Sequence, residues 1–238
     1  MNKNKALFII GGMGPEASGY LYNTLINLAI KKFGAKNNDD FPEIILHSIP
    51  VPDFISDTRS KKQALQMLKI RIQEANALNI SCISIACNTA HILLEQLQQV
   101  SKTPFISMIE EVVKSIKADR VVKIGLLGTP LTLRFGLYQQ ALKKAGIEVV
   151  IPTGKQIQSS EKIIRNVIAG ERSSFDQKKL KKIADVLSKR GATAIVLGCT
   201  ELPLVFPTGY KLPVYNSVEI LAEALLHKYY GQNTIGQR

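Results

Sequence analysis

The chain has 238 residues, 45% hydrophobic and 21% charged, with a formal net charge of +12. That length suits one large domain or two of about 110–120 residues, and it can bury a sizeable core without disulfide staples. No apolar run approaches the roughly 18–20 residues of a membrane span, and the N-terminal run ALFII is shorter than a secretory apolar region of about 7–15 residues. The expectation is a cytoplasmic protein with no membrane partner. Three cysteines, Cys82, Cys87 and Cys199, are too sparse and too odd in number for a disulfide framework. The densest lysine cluster, residues 178–190, spaces Leu180, Ile183, Ala184 and Leu187 as one helical face. Its lysines then read as a solvated face, so no nucleic-acid partner is expected. A positive field would equally draw in small anionic substrates.

Strand-like and helix-like segments alternate. ALFII (6–10) precedes an amphipathic stretch, 15–34, with Pro15 suited to a first helical position and Gly34 to a helix end. EIILHS (43–48) reads as a second strand, and Ser60 is placed to cap a helix running to about Leu78. ISIA (83–86) is a third strand, followed by a helix near 89–99. PFIS (104–107), VVKIGLL (121–127), EVVI (148–151) and TAIVL (193–197) complete the strands. Continuous apolar strands alternating with helices predict a doubly wound α/β architecture, its parallel sheet buried on both faces. Ligands in such folds gather beyond the carboxyl ends of the strands.

The pattern is written twice. FIIGGMG (8–14) resembles IGLLGTP (124–130) at an offset of 116, and SIACNTA (84–90) resembles VLGCTEL (196–202), with Cys87 and Cys199 112 residues apart. The repeat predicts two α/β lobes related by approximate two-fold symmetry, residues 1–117 with 211–238 forming the first and 118–210 the second. A cysteine would then stand at the matching strand end of each lobe, across one cleft. A cysteine before a helix faces unpaired N–H groups and the positive end of the dipole, which is expected to lower its pKa. Two such thiols on opposite faces of one carbon can remove a proton from one side and return it on the other, without a cofactor.

GGMGPEAS (11–18), ACNTAH (86–91), LLGT (126–129) and GCTELP (198–203) together resemble the aspartate/glutamate racemase family, and most of all its aspartate racemase branch. The resemblance spans nearly the whole chain. It implies a two-lobed fold and cofactor-independent racemisation of an amino acid, aspartate or glutamate first, in a homodimer, with Cys87 and Cys199 as the catalytic pair. By position it implies that Met13 contacts substrate. Asn88, Thr89, Thr200 and Thr129 offer amide and hydroxyl hydrogen bonds to the substrate's amino and carboxylate groups. The turn at 11–14 precedes a helix N-terminus, a natural carboxylate site.

Two features depart from the aspartate racemase pattern. The family's P-D-R-T arginine falls at Phe54, and Arg59 either takes its place or lies on the surface. The family's second-lobe lysine falls within VIAG (167–170), where Arg165, about one turn earlier, either substitutes or belongs to a solvated helix face. Both cations would grip an acidic side chain, so strict aspartate specificity is in question. Cys82 reads as core. His91 either orients Cys87 or is structural. Glu201 either tunes Cys199, meets the substrate ammonium or simply complements a helix dipole. A Cys87/His91 metal site would need further ligands that no C-x-x-C or H-x-x-x-H pattern supplies, so no metal is expected. A cysteine hydrolase is the rival chemistry, but a nucleophile needs no twin. Within the wider superfamily, a diacid cis–trans isomerase or lyase is the alternative activity.

Overall fold

A computed structural model describes residues 5–53 and 55–231. In chain order the first half comprises β1 (Ala6–Gly11), α1 (Pro15–Phe33), β2 (Ile44–Ser48), α2 (Lys61–Ala75), β3 (Ile80–Ile85), α3 (Leu94–Gln98) and α4 (Met108–Ala118). The second comprises β4 (Lys123–Gly128), α5 (Pro130–Arg134), α6 (Leu137–Lys144), β5 (Glu148–Val150), α7 (Gly154–Ile168), α8 (Ser174–Lys189), β6 (Ala194–Gly198), β7 (Val214–Asn216) and α9 (Ser217–Tyr230). Two parallel sheets result, ordered β2-β1-β3 and β5-β4-β6-β7. Every residue of β1 and β6 is buried, as expected of central parallel strands covered on both faces.

The repeat extends further than the motifs. β1, β2 and β3 match β4, β5 and β6 in sheet position. Beyond β3, Phe105 pairs with Ile83 in a lone parallel bridge, and beyond β6, Val214 pairs with Ile195. The helix that follows each edge segment then crosses to the other lobe. Ile109, Val112 and Ile116 of α4 pack against Ile124, Leu126 and Val196 of the second sheet. Val218, Leu221 and Leu225 of α9 pack against Leu7 and Ile9 of the first sheet and Leu21 and Leu25 of α1. The exchange covers one face of each sheet and locks the lobes together.

Several sequence expectations shift by small amounts. Gly34 ends α1 in a left-handed conformation, φ 77°, as its position suggested. The helix expected at 89–99 divides into a 3-10 turn, Thr89–Leu93, and the short α3. The strand expected at 104–107 is reduced to the Phe105 bridge. The second lobe boundary moves as well: Val214–Asn216, expected in the first lobe, is the edge of the second sheet, and the chain crosses back at Ser217. A three-residue strand carries no periodicity, so only its ladder reveals it. Phe54 and residues 232–238 lie outside the described residues. Among the described residues no helix is long and apolar enough to cross a membrane.

Candidate active site

The first wall of the cleft is the turn between β1 and α1. Gly12 has φ 90°, and a Cβ there would lie 2.5 Å from both the nitrogen and the oxygen of Ile49, so glycine is required on two grounds. Ser18 braces the turn: its Oγ accepts the Gly12 N–H at 2.9 Å and donates to the Gly14 carbonyl at 3.0 Å. The sequence assigned Ser18 no role, although it lies within the quoted motif. The helix N-terminus here does meet a carboxylate, and it is the chain's own. Gly14 N–H donates to Oε1 of Glu201 at 3.0 Å.

Glu201 joins this turn to the second thiol. Its Oε2 accepts from Cys199 Sγ at 3.0 Å and from the Thr200 hydroxyl at 3.1 Å. The first lobe holds the matching contact, because Thr89 follows Cys87 by two residues as Glu201 follows Cys199. Thr89 Oγ1 lies 2.8 Å from Oγ1 of Thr129, the N-cap of α5, as Glu201 reaches Gly14, the N-cap of α1. Each cysteine loop thus ties itself to the first helix of the opposite lobe. The chemistry of the two ties differs: a hydroxyl beside Cys87, a carboxylate beside Cys199.

Both thiols are buried, Cys87 8% and Cys199 3% exposed. Burial pushes the Cys87 thiol up to about 12, with the Glu201 charge adding to the rise. The Ala90 and Thr89 N–H groups and the Thr89 hydroxyl oppose it. Cys199 is raised well above its ordinary value, first by burial, then by the charge and hydrogen bond of Glu201, with a smaller contribution from Cys87. The lowered thiol pKa expected from the helix ends is therefore reversed. Backbone N–H groups do face Cys87, but loss of water and a nearby carboxylate outweigh them.

A cavity of about 310 Å³ opens between the lobes. Gly12, Met13 and Gly14, the segment from Val51 to Asp53 with Ile55, Cys87 and Thr89 line it from the first lobe, and Arg165, Ile168 and Ala169 from the second. Of the residues proposed from the sequence, Met13, Cys87 and Thr89 reach this wall. Cys199 stands one carboxylate away. Thr129 and Thr132 hydrogen-bond Thr89 and each other. The Asn88 carbonyl accepts from Tyr138 at 2.5 Å and its amide donates to Ser217 at 3.1 Å. These groups clasp the lobes together. Arg59 is not brought to the cavity: its side chain is 89% exposed and pairs with Asp57 at 2.8 Å. Arg165, which the sequence left open, is the cation that lines it.

Residues 10–225 match the model of the Asp/Glu/hydantoin racemase family. The chain belongs to this family. It is 27% identical over 225 residues to the broad specificity amino-acid racemase RacX of Bacillus subtilis, covering 93% of this chain and 96% of that one. Among solved structures, Picrophilus torridus aspartate racemase aligns at 27% identity and TM-score 0.83, covering 95% of this chain and 94% of that one. An aspartate racemase homologue from Pyrococcus horikoshii aligns at 28% and 0.79, covering 95% and 99%. Glutamate racemase from Francisella tularensis shares the fold at 18% identity and TM-score 0.70, over 99% of this chain and 85% of that one.

Within this family frame, His91 is a brace. Met108 N–H donates to Nε2 at 3.1 Å, which leaves the proton on Nδ1 to donate to the Cys87 carbonyl at 2.9 Å. Both nitrogens are spent on backbone, so the ring fixes the Cys87 loop and has no free atom for the thiol. Burial lowers its pKa to about 4. A depressed histidine pKa favours the fold above the unfolded value, near 6.5, and that benefit is lost as pH falls from there towards 4. At about 1.4 kcal/mol per pH unit, the loss is about 3 kcal/mol. Urea denaturation at pH 7 and pH 4.5 is expected to record most of it in the native chain. In His91→Gln, already weaker at pH 7, a clearly smaller change is expected; an equal change in both would remove His91 as the source.

Proposed function

We propose that this chain interconverts the enantiomers of a free α-amino acid by proton transfer between Cα and the thiols of Cys87 and Cys199, without pyridoxal phosphate or another cofactor. The observation that carries the reading is the pair of cysteines at matching strand ends, Cys87 lining the cavity and Cys199 joined to its glycine turn through Glu201. One cysteine, as thiolate, takes the Cα proton. The C–H bond breaks, an S–H bond forms, and the electron pair stays on Cα beside the substrate carboxylate. The other thiol then gives its proton to the opposite face and becomes the thiolate. Nothing is oxidised or reduced, and the two cysteines exchange protonation states in each turnover.

Burial favours the protonated form of both thiols, so one of them must release its proton to solvent as substrate binds before the cycle begins. The substrate ammonium brings a positive charge, and the N–H groups of Thr89 and Ala90 already favour the anion on Cys87. RacX and the Picrophilus enzyme, both named as amino-acid racemases, support an amino acid as substrate class. Aspartate and glutamate stand first on the panel because the family resemblance implies them.

The test is deuterium incorporation at Cα in D₂O without added pyridoxal phosphate, read by mass spectrometry and chiral chromatography over an amino-acid panel. Label with inversion in at least one amino acid is expected. Absence of label throughout, from protein with verified reduced thiols, would remove the racemase reading.

A further inference from the structure

The geometry points to an uncharged side chain, aliphatic or thioether, as the one this cavity accepts, in place of the acidic one that the family resemblance implies. The inference rests on the racemase reading of the same cleft. Apart from the cysteine and the glycine turn, the wall is built mainly by Met13, Val51, Pro52, Ile55, Ile168 and Ala169. Ile168 stands beside the glycine turn. A Cβ at Gly14 would lie 3.5 Å from Ile168 Cγ1 and 3.3 Å from Glu201 Oε1, the carboxylate that holds Cys199. A substrate side chain that enters the cavity beside this turn is expected to meet Ile168.

Arg165 is the one cation lining the cavity among the described residues, and its charge is already met by two carboxylates. Nη1 donates to Asp53 Oδ2 at 2.9 Å, Nη2 to Ser56 Oγ at 2.9 Å and Nε to Glu161 Oε1 at 3.0 Å. These bonds fasten Asp53 and Ser56 of the first lobe onto α7 of the second lobe. Two N–H groups remain, but a substrate carboxylate placed on them would share one guanidinium with the carboxylates of Asp53 and Glu161, which weakens its hold. Placed elsewhere on this wall it would give up water to apolar side chains that offer no hydrogen bond in return. A cationic side chain fares little better. The remaining oxygen of Asp53 accepts the Ile55 N–H at 3.0 Å, and its charge is already paired with Arg165, so a second cation would compete with that pair. An apolar side chain needs no partner and releases water from an apolar wall.

The experiment measures initial rates of Cα deuterium incorporation for both enantiomers of leucine, methionine, alanine, aspartate, glutamate and lysine. It uses the full chain with reduced thiols. The kcat/KM for leucine or methionine is expected to exceed that for aspartate, glutamate and lysine by on the order of 100-fold. Ile168→Lys, which adds an unpaired cation to the wall, is expected to raise the aspartate rate and lower the leucine rate, with thermal melting to verify its fold. Preference of the native chain for aspartate, glutamate or lysine overturns the inference and leaves the racemase reading intact. If no amino acid exchanges, the racemase reading fails, and calorimetric titration decides the subsite. Heat from L-methionine with none from L-aspartate supports the inference; heat from L-aspartate, or from neither, overturns it.

Discussion

Cys87→Ser and Cys199→Ser are each expected to lose inversion at Cα by on the order of 10³–10⁴-fold, with Cα exchange surviving in a one-sided form. A serine hydroxyl is a far weaker acid than a thiol, so it supplies neither the base on one face nor a ready proton on the other. The surviving thiol still faces one enantiomer. It can take that enantiomer's proton, exchange with solvent and return deuterium to the same face. Each single variant should therefore label one enantiomer with retention, and the two variants should label opposite enantiomers. The double variant should be no slower in inversion than the worse single one, because the two groups act as a unit. Chiral chromatography of D₂O reactions reads all three outcomes. Inversion within about tenfold of the native rate in either single variant would remove the two-thiol mechanism. The native pH profile gives a second reading. With the Cys87 thiol pushed up to about 12, its thiolate fraction grows with pH, so kcat/KM is expected to climb between about pH 6 and 9.

The architecture was legible because it depends on features that survive in one dimension. Strands buried on both faces must be apolar throughout, so β1, β3, β4 and β6 stand out as runs. Duplication then doubles the signal. Cys87 and Cys199 were found because each closes such a run in the same way in both halves. What stayed hidden depends on contacts across the cleft. Arg59 and Arg165 are both arginines close to motif positions, and neither neighbour sequence tells which one turns inward. Asp57, two residues from Arg59, holds it in solvent, whereas Asp53 and Glu161 hold Arg165 at the cavity wall. Asn88 and Thr129 looked like substrate ligands because they are polar and adjacent to the motifs. Their partners Tyr138, Ser217 and Thr89 lie elsewhere in the chain and bind them into the joint between lobes. The thiol pKa values failed for the same reason. A helix end is visible in sequence, as is Glu201 beside Cys199, but neither the burial of both thiols nor the approach of Glu201 to Cys87 is.

Glu201→Gln is expected to slow racemisation by on the order of 10–100-fold while making the Cys199 thiol easier to ionise. The two effects separate because the carboxylate does two things. Its Oε2 accepts the Cys199 S–H, which aims the proton and disfavours the thiolate, and its Oε1 accepts the Gly14 N–H, which ties that thiol to the cavity turn. In the amide, Oε1 can keep the Gly14 bond, and the –NH₂ then faces Cys199 and Thr200. An N–H donor at that position favours the thiolate, so ionisation of Cys199 moves to lower pH. The Cys87 pKa should fall too, since the Glu201 charge helps to raise it. Thiolate absorbance in the ultraviolet, followed against pH in a Cys82→Ala background, reads the ionisation directly. The step that suffers is the one in which Cys199 must donate: a thiol already ionised has no proton to give. The deficit should therefore be larger for one enantiomer's Cα labelling than for the other's, and Glu201→Asp, which restores the charge at shorter reach, should recover the ionisation more than the rate. A Glu201→Gln chain with native rates in both directions would reduce Glu201 to a tie between lobes. One that loses both rates equally, with no change in thiol ionisation, would make it a support for the Gly14 turn alone.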